Sequence, residues 1–178
     1  MASNLHFADC HNDLLLGVTV QRDLGNDDLF GKFWLPQLRA GNVRLVVLPV
    51  YTEDWFTGEA ALRRALTTIE TARQVTDRHA ENVSLVTTAA ELRAALDTGR
   101  IALLLAFEGM EPVGADVDLI DTFWHLGVRM ASLTWNRRTP FADGLGERGT
   151  GAGLTELGVK AVERMERLGM IVDVSHLS

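Results

Sequence analysis

One arrangement recurs along this chain and limits what it can fold into: a short apolar run, a loop, a stretch with helical spacing, a glycine, then another apolar run. Strand–helix–strand crossovers read this way in sequence, so the expected fold class is α/β with a parallel sheet. The expected buried strands are Leu5–Cys10, Val43–Val50, Ile101–Phe107, Val128–Leu133 and Met170–Val174, with Val83–Val86 a weaker sixth. Most lack polar alternation, as parallel strands covered on both faces do. The longest run, "IALLLAF", has the length of a strand and falls far short of the roughly 20 apolar residues of a membrane-spanning helix.

Between the runs lie helical signals with identifiable ends. Leu62, Leu66, Ile69, Ala72 and Val75 recur at helical spacing between about Gly58 and Ala80, which predicts a helix burying that stripe. Thr88 and Glu91 have the spacing of a capping box, opening a helix that should stop near Gly99. Thr155 is an N-cap candidate for a helix closed by Gly169, and Pro36 suits the first turn of a short helix ending at Gly41. Thr139 to Gly153, "TPFADGLGERGTGAG", is too long for an ordinary connection. It follows an expected strand and should lie at the carboxyl ends of the sheet, where α/β folds assemble their sites.

The 178 residues suffice for one domain with a core, and no linker, repeat or low-complexity tract divides them, so a single domain without internal boundary is expected over 1–178. A formal charge of -7 argues against nucleic acid or an anionic membrane as partner and favours a small soluble ligand. Cys10 is the single cysteine, so no internal disulfide is expected, and alternation places it in the core. The N-terminus lacks the basic and apolar regions of a secretion signal, which makes the cytoplasm the expected compartment.

Ligand-type side chains stand at three strand ends. In "FADCHNDLL", Asp9, His11 and Asp13 share one side if the strand persists through "DCHND". Imidazole and carboxylate then converge, which suits zinc or a similar divalent ion, although the same residues suit a polar strand end satisfied by backbone or water. Glu108 follows "IALLLAF" directly, and Gly109 lets the backbone turn away behind it. His176 ends "MIVDVSH" in the same manner. Each alone has an ordinary structural explanation; three strand ends together point to a metal, because parallel strands bring their carboxyl ends to one place. His6, His79 and His125 are expected in solvated or satisfied positions.

The segments "DCHNDLL", "GKFWLPQLRAGNV", "LLLAFEG", "LTWNRRTPFADG" and "GLTELGVKAVERMERLGMIVDVSH", in this order, resemble the renal (membrane) dipeptidase family of zinc metallopeptidases, peptidase family M19. The resemblance covers essentially the whole chain. It implies a parallel (β/α)8 TIM barrel, here incomplete, whose mouth holds two zinc ions and hydrolyses dipeptides. It further implies that His11 and Asp13 bind one metal, that Glu108, the catalytic carboxylate, bridges both, and that His176 is the first histidine on the second. Water activated between the two cations would attack the peptide carbonyl, with no need for a Ser or Cys nucleophile.

Trp135 stands where renal members carry a substrate-contacting histidine, so Trp135 is expected in the wall of the substrate pocket, with Asn136 and Asp143 as polar contacts for a peptide. Leu15 stands where the family often has proline. The family's later histidine and aspartate ligands, and an arginine that grips the substrate carboxylate, have no counterparts within residues 1–178, so the expectation is a truncated chain inactive alone. A dipeptide is the expected partner, and a homodimer is left open. Two alternatives stand beside this reading: a related metal-dependent amidohydrolase acting on another amide or ester, and a non-catalytic remnant serving as a binding module.

Overall fold

The computed structural model describes residues 5–26 and 28–178. Six strands are present among them: β1 (Phe7–Asp9), β2 (Val43–Tyr51), β3 (Val83–Leu85), β4 (Ile101–Glu108), β5 (Val128–Ser132) and β6 (Ile171–Asp173). The helices are α1 (Leu14–Asp23), α2 (Leu35–Ala40), α3 (Glu59–Arg78), α4 (Ala89–Asp97), α5 (Leu119–His125) and α6 (Glu156–Leu168). Strand order is β1-β2-β4-β5-β6, with β3 also paired to β4. This is α/β architecture with the strand–helix repeat of a (β/α)8 barrel, at six strands against the eight of a closed barrel.

The chain forms two compact units, Met1–Pro49 with Thr68–Leu105, and Val50–Thr67 with Ala106–Ser178. In the first, β1 pairs in parallel with β2, Ala8 opposite Leu45, and β3 with β4, Leu85 opposite Leu103. Its core includes Val86, Ala95 and Ala102, with Leu45, Leu92 and Leu104 packed against them. In the second, β5 and β6 pair in parallel from Met130 opposite Ile171 to Ser132 opposite Asp173. Phe107 and Phe123 meet edge to face there, with ring centres 4.7 Å apart, both buried.

The expected helix ends are realised. Thr88 and Glu91 form the reciprocal capping box of α4. Thr155 caps α6 by accepting from the Gly158 amide, and Gly169 ends it in the left-handed conformation. Pro36 lies in the first turn of α2, which closes at Gly41.

Three expectations are corrected. The strand does not persist through "DCHND": β1 stops at Asp9, and Asp13 is already the N-cap residue of α1. Cys10 consequently leaves the alternating pattern and is exposed, not packed in the core. The buried face of α3 consists of Ala61, Arg64, Ala65, Thr68, Ile69, Thr71 and Ala72, while Leu66 is exposed. Ile69 and Ala72 of the expected stripe are buried and Leu62 and Val75 half-buried, so Leu66 is the member that departs, with the small residues Ala61 and Ala65 buried beside it.

Candidate functional site

At the carboxyl end of β1 a tight polar turn replaces the expected strand continuation. The Asp9 carboxylate accepts from the His11 amide at 3.3 Å and from the Asn12 side-chain amide at 2.7 Å. Asn12 in turn accepts from the Leu14 amide at 3.0 Å, while its own amide bonds to the Val47 carbonyl. Aspartate at an N-cap ordinarily accepts hydrogen bonds from the first-turn amides. Asp13 makes no such bond. Its carboxylate faces the His11 ring instead, Oδ1 lying 3.5 Å from Nε2, with both side chains open to solvent.

A second imidazole–carboxylate pair lies at the carboxyl ends of β4 and β6. His176 Nε2 is 3.1 Å from Glu108 Oε1, and the glutamate side chain is largely buried. Gly109 turns the chain directly behind it with φ of 86°, where a Cβ would stand 2.2 Å from Glu111 Oε2 and 3.1 Å from the Trp135 amide. Only glycine combines that dihedral with that proximity. Its amide donates to Ser132 Oγ at 3.0 Å, tying the end of β4 to β5. His176 itself has a φ of 65°, uncommon for a residue with a side chain. Its carbonyl accepts from the Leu145 amide at 2.9 Å and from Thr134 Oγ1 at 3.3 Å, which holds the backbone there.

The two separations suit ligand chemistry. Two atoms each 2.0–2.1 Å from a tetrahedral ion lie about 3.3 Å apart. Pairs at 3.1 and 3.5 Å have that spacing, and neutral imidazole with carboxylate is a donor set that zinc accepts.

Trp135, partly buried, meets the Tyr51 ring edge-on at 5.2 Å and lies 6.3 Å from the His176 ring. Asn136 Oδ1 lies 3.2 Å from His176 Nδ1. Asp143 is 2% exposed, and its carboxylate is held by Arg138 and by the Thr150 hydroxyl. Its place is therefore inside the glycine-rich loop, which it fastens. The Arg138 and Thr150 bonds hold the Asp143 carboxyl below the ordinary aspartate range. A depressed native pKa contributes stability above the unfolded value of about 3.9, lost as pH falls through the native one. Arg138→Ala should raise the Asp143 pKa, read by carbon NMR of the carboxyl, and move loop opening to higher pH.

Sequence reasoning missed three groups. Tyr51, the last residue of β2, has its phenol pushed up to about 12 by burial and then by the negative charges of Asp54 and Glu108. Asn12 takes over the capping that Asp13 leaves undone. Arg137 donates to Glu111 Oε1 at 3.1 Å and to the Asp54 carbonyl at 3.0 Å. Burial raises the Glu111 carboxyl despite that arginine. Tyr51 was findable, since it ends a strand as Glu108 does; the others depend on turns that no periodicity announces.

The sequence matches the model of the membrane dipeptidase family, peptidase family M19, over residues 1–178. It is 33% identical to dipeptidase 3 of Rattus norvegicus over 181 aligned residues, covering 96% of this chain and 36% of the rat protein. It is 29% identical to an uncharacterized dipeptidase of Schizosaccharomyces pombe, covering 96% of this chain and 46% of the yeast one. The chain thus spans less than half the length of these curated relatives. Among solved structures, dipeptidase AC, a metallopeptidase of family M19, superposes with a TM-score of 0.87 at 27% identity, covering 99% of this chain and 58% of that one. A metallopeptidase of Rhodobacter sphaeroides, solved with a phosphinate mimic of the dipeptide L-Ala-D-Ala, superposes with a TM-score of 0.85 at 25% identity, covering 99% and 60%. With the family model matched from the first residue to the last, this chain belongs to the membrane dipeptidase family, peptidase family M19.

Proposed function

We propose that this chain carries metal-ligand residues of a dipeptidase with a binuclear zinc centre, His11 and Asp13 serving one ion, His176 the other, and Glu108 both. The observation that carries the reading is the pair of imidazole–carboxylate contacts at strand carboxyl ends, both at the spacing of adjacent zinc ligands. Family membership and the L-Ala-D-Ala mimic bound by the Rhodobacter sphaeroides relative support a dipeptide as substrate.

Divalent ions bound there would supply two kinds of chemistry, acidification of water and Lewis-acid polarisation of a peptide carbonyl. The chain's own residues do the rest. Glu108 has two oxygens, so one carboxylate can serve two ions, and its burial keeps it from being shielded by water. Asp13, freed from capping by Asn12, presents its carboxylate beside His11. Trp135, braced edge-on by Tyr51, forms one wall of the substrate pocket and excludes water from it. Tyr51, protonated at neutral pH, keeps that wall uncharged.

A protein carrying these residues at the family's full length should retain zinc through dialysis, hydrolyse L-Ala-D-Ala, and lose both properties to a chelator in parallel, with elemental analysis and a dipeptide assay as the readouts, whereas residues 1–178 by themselves should hydrolyse no dipeptide. Zinc retention with turnover of an ester or another amide, but of no dipeptide, would move the assignment to a related amidohydrolase. No bound metal and no hydrolysis would leave a binding module.

A further inference from the structure

We propose that Asn136 is a positioning residue, holding His176 in the tautomer that carries its proton on Nδ1 so that Nε2 is offered toward Glu108. This rests on the reading of His176 as a metal ligand. Asn136 Oδ1 lies 3.2 Å from Nδ1, while Nε2 lies 3.1 Å from Glu108 Oε1. An amide oxygen only accepts, so the ring nitrogen facing it must be the one that bears hydrogen. With Nδ1 turned to Asn136, Nε2 is the ring nitrogen that faces the Glu108 carboxylate at 3.1 Å. On the reading of His176 as a ligand, Nε2 and Glu108 Oε1 stand at the spacing of two neighbours on one ion. Orientation of a ligating histidine by a hydrogen bond to its other nitrogen is a general device of metal sites.

The position of Asn136 is in turn built by the glycine-rich loop. A Cβ on Gly144 would stand 2.6 Å from the Asn136 carbonyl oxygen, and one on Gly146 would stand 2.7 Å from it. Both are backbone obstructions that no side-chain movement relieves. The Gly146 amide donates to that same oxygen at 2.6 Å. The adjoining Leu145 amide donates to the His176 carbonyl at 2.9 Å. One short segment, Gly144 to Gly146, therefore grips the backbone of both the histidine and its orienting asparagine. The long glycine-rich stretch thus closes on residues 136 and 176 at a distance that only backbone without side chains allows.

The test uses the zinc-loaded protein with three variants, Asn136→Leu, Asn136→Asp and His176→Ala. Zinc affinity is measured by competition with a chromophoric chelator, and the His176 tautomer by long-range proton–nitrogen NMR. The expected result is a His176 ring protonated at Nδ1 and metallated at Nε2, and a loss of affinity of about 10–100-fold at one of the two ions for Asn136→Leu. Asn136→Asp, which keeps an acceptor at that place, should restore affinity to within a few-fold, a rescue that a purely structural role would not produce. If Asn136→Leu fails to fold, a tautomer protonated at Nε2 in the unmodified protein still overturns the proposal. So does wild-type zinc affinity in a folded Asn136→Leu. Unchanged zinc content in His176→Ala would instead sink the metal reading itself, leaving the two failures distinguishable.

Discussion

At the family's full length, where dipeptide hydrolysis is proposed, Glu108→Gln is expected to lower turnover by about a thousandfold, equivalent to about 4 kcal/mol of transition-state stabilisation. The replacement is nearly isosteric and keeps one oxygen near the His176 ring, so the backbone at the end of β4 should be undisturbed. It removes the charge and one of two acceptor oxygens, leaving a single neutral amide oxygen where the carboxylate offers two anionic ones. Zinc content should fall from two toward one per protein molecule, measured by elemental analysis beside the L-Ala-D-Ala assay. A variant with two bound ions and turnover within tenfold of the parent would show that Glu108 is a structural carboxylate.

Arg64→Met should destabilise the fold by about 3–5 kcal/mol, the usual consequence of leaving one charge of a buried pair without its partner. Glu53 and Arg64 are 7% and 6% exposed. The guanidinium grips the carboxylate with both forks, Nε to Oε2 at 3.0 Å and Nη2 to Oε1 at 2.6 Å, and lies over the Phe56 ring at 5.3 Å. For a chain of this size the melting temperature should drop by more than about 6 °C. Replacing both partners, Arg64→Met with Glu53→Leu, should recover most of the loss, since it is the unpaired charge that is costly. A single variant that loses under about 1 kcal/mol would show the pair to be solvent-accessible. The pair also bears on the site: it anchors the segment following β2, whose Asp54 carbonyl receives Arg137, the neighbour of Asn136.

The candidate site was half legible in the sequence. Position and residue type single out His11, Asp13, Glu108 and His176 as candidates, because a carboxylate or imidazole ending an apolar run is visible in one dimension. Their orientation was not. Alternation along a strand was expected to align His11 with Asp13, whereas β1 ends at Asp9 and a turn held by Asp9 and Asn12 brings them together. Asn136, read from sequence as a contact for substrate, lies against a histidine 40 positions away. Asp143 is engaged within its own loop.

What the sequence determined by itself is the order and kind of the elements. Apolar runs, the Thr88–Glu91 capping box, the Thr155 cap, Pro36 and Gly169 are local signals, each set by interactions among residues a few positions apart, and local signals survive in a linear reading. Tertiary structure alone decided which face of α3 is buried, where Cys10 points, and which nitrogen of His176 faces Glu108. Those outcomes depend on how closely two backbones approach and on which distant acceptor lies opposite a donor. Small residues such as Ala61 and Ala65 win a buried face over Leu66 because close packing rewards fit as well as hydrophobicity. Distance between residues far apart in the chain has no periodicity to read, so it exists only once the fold has formed.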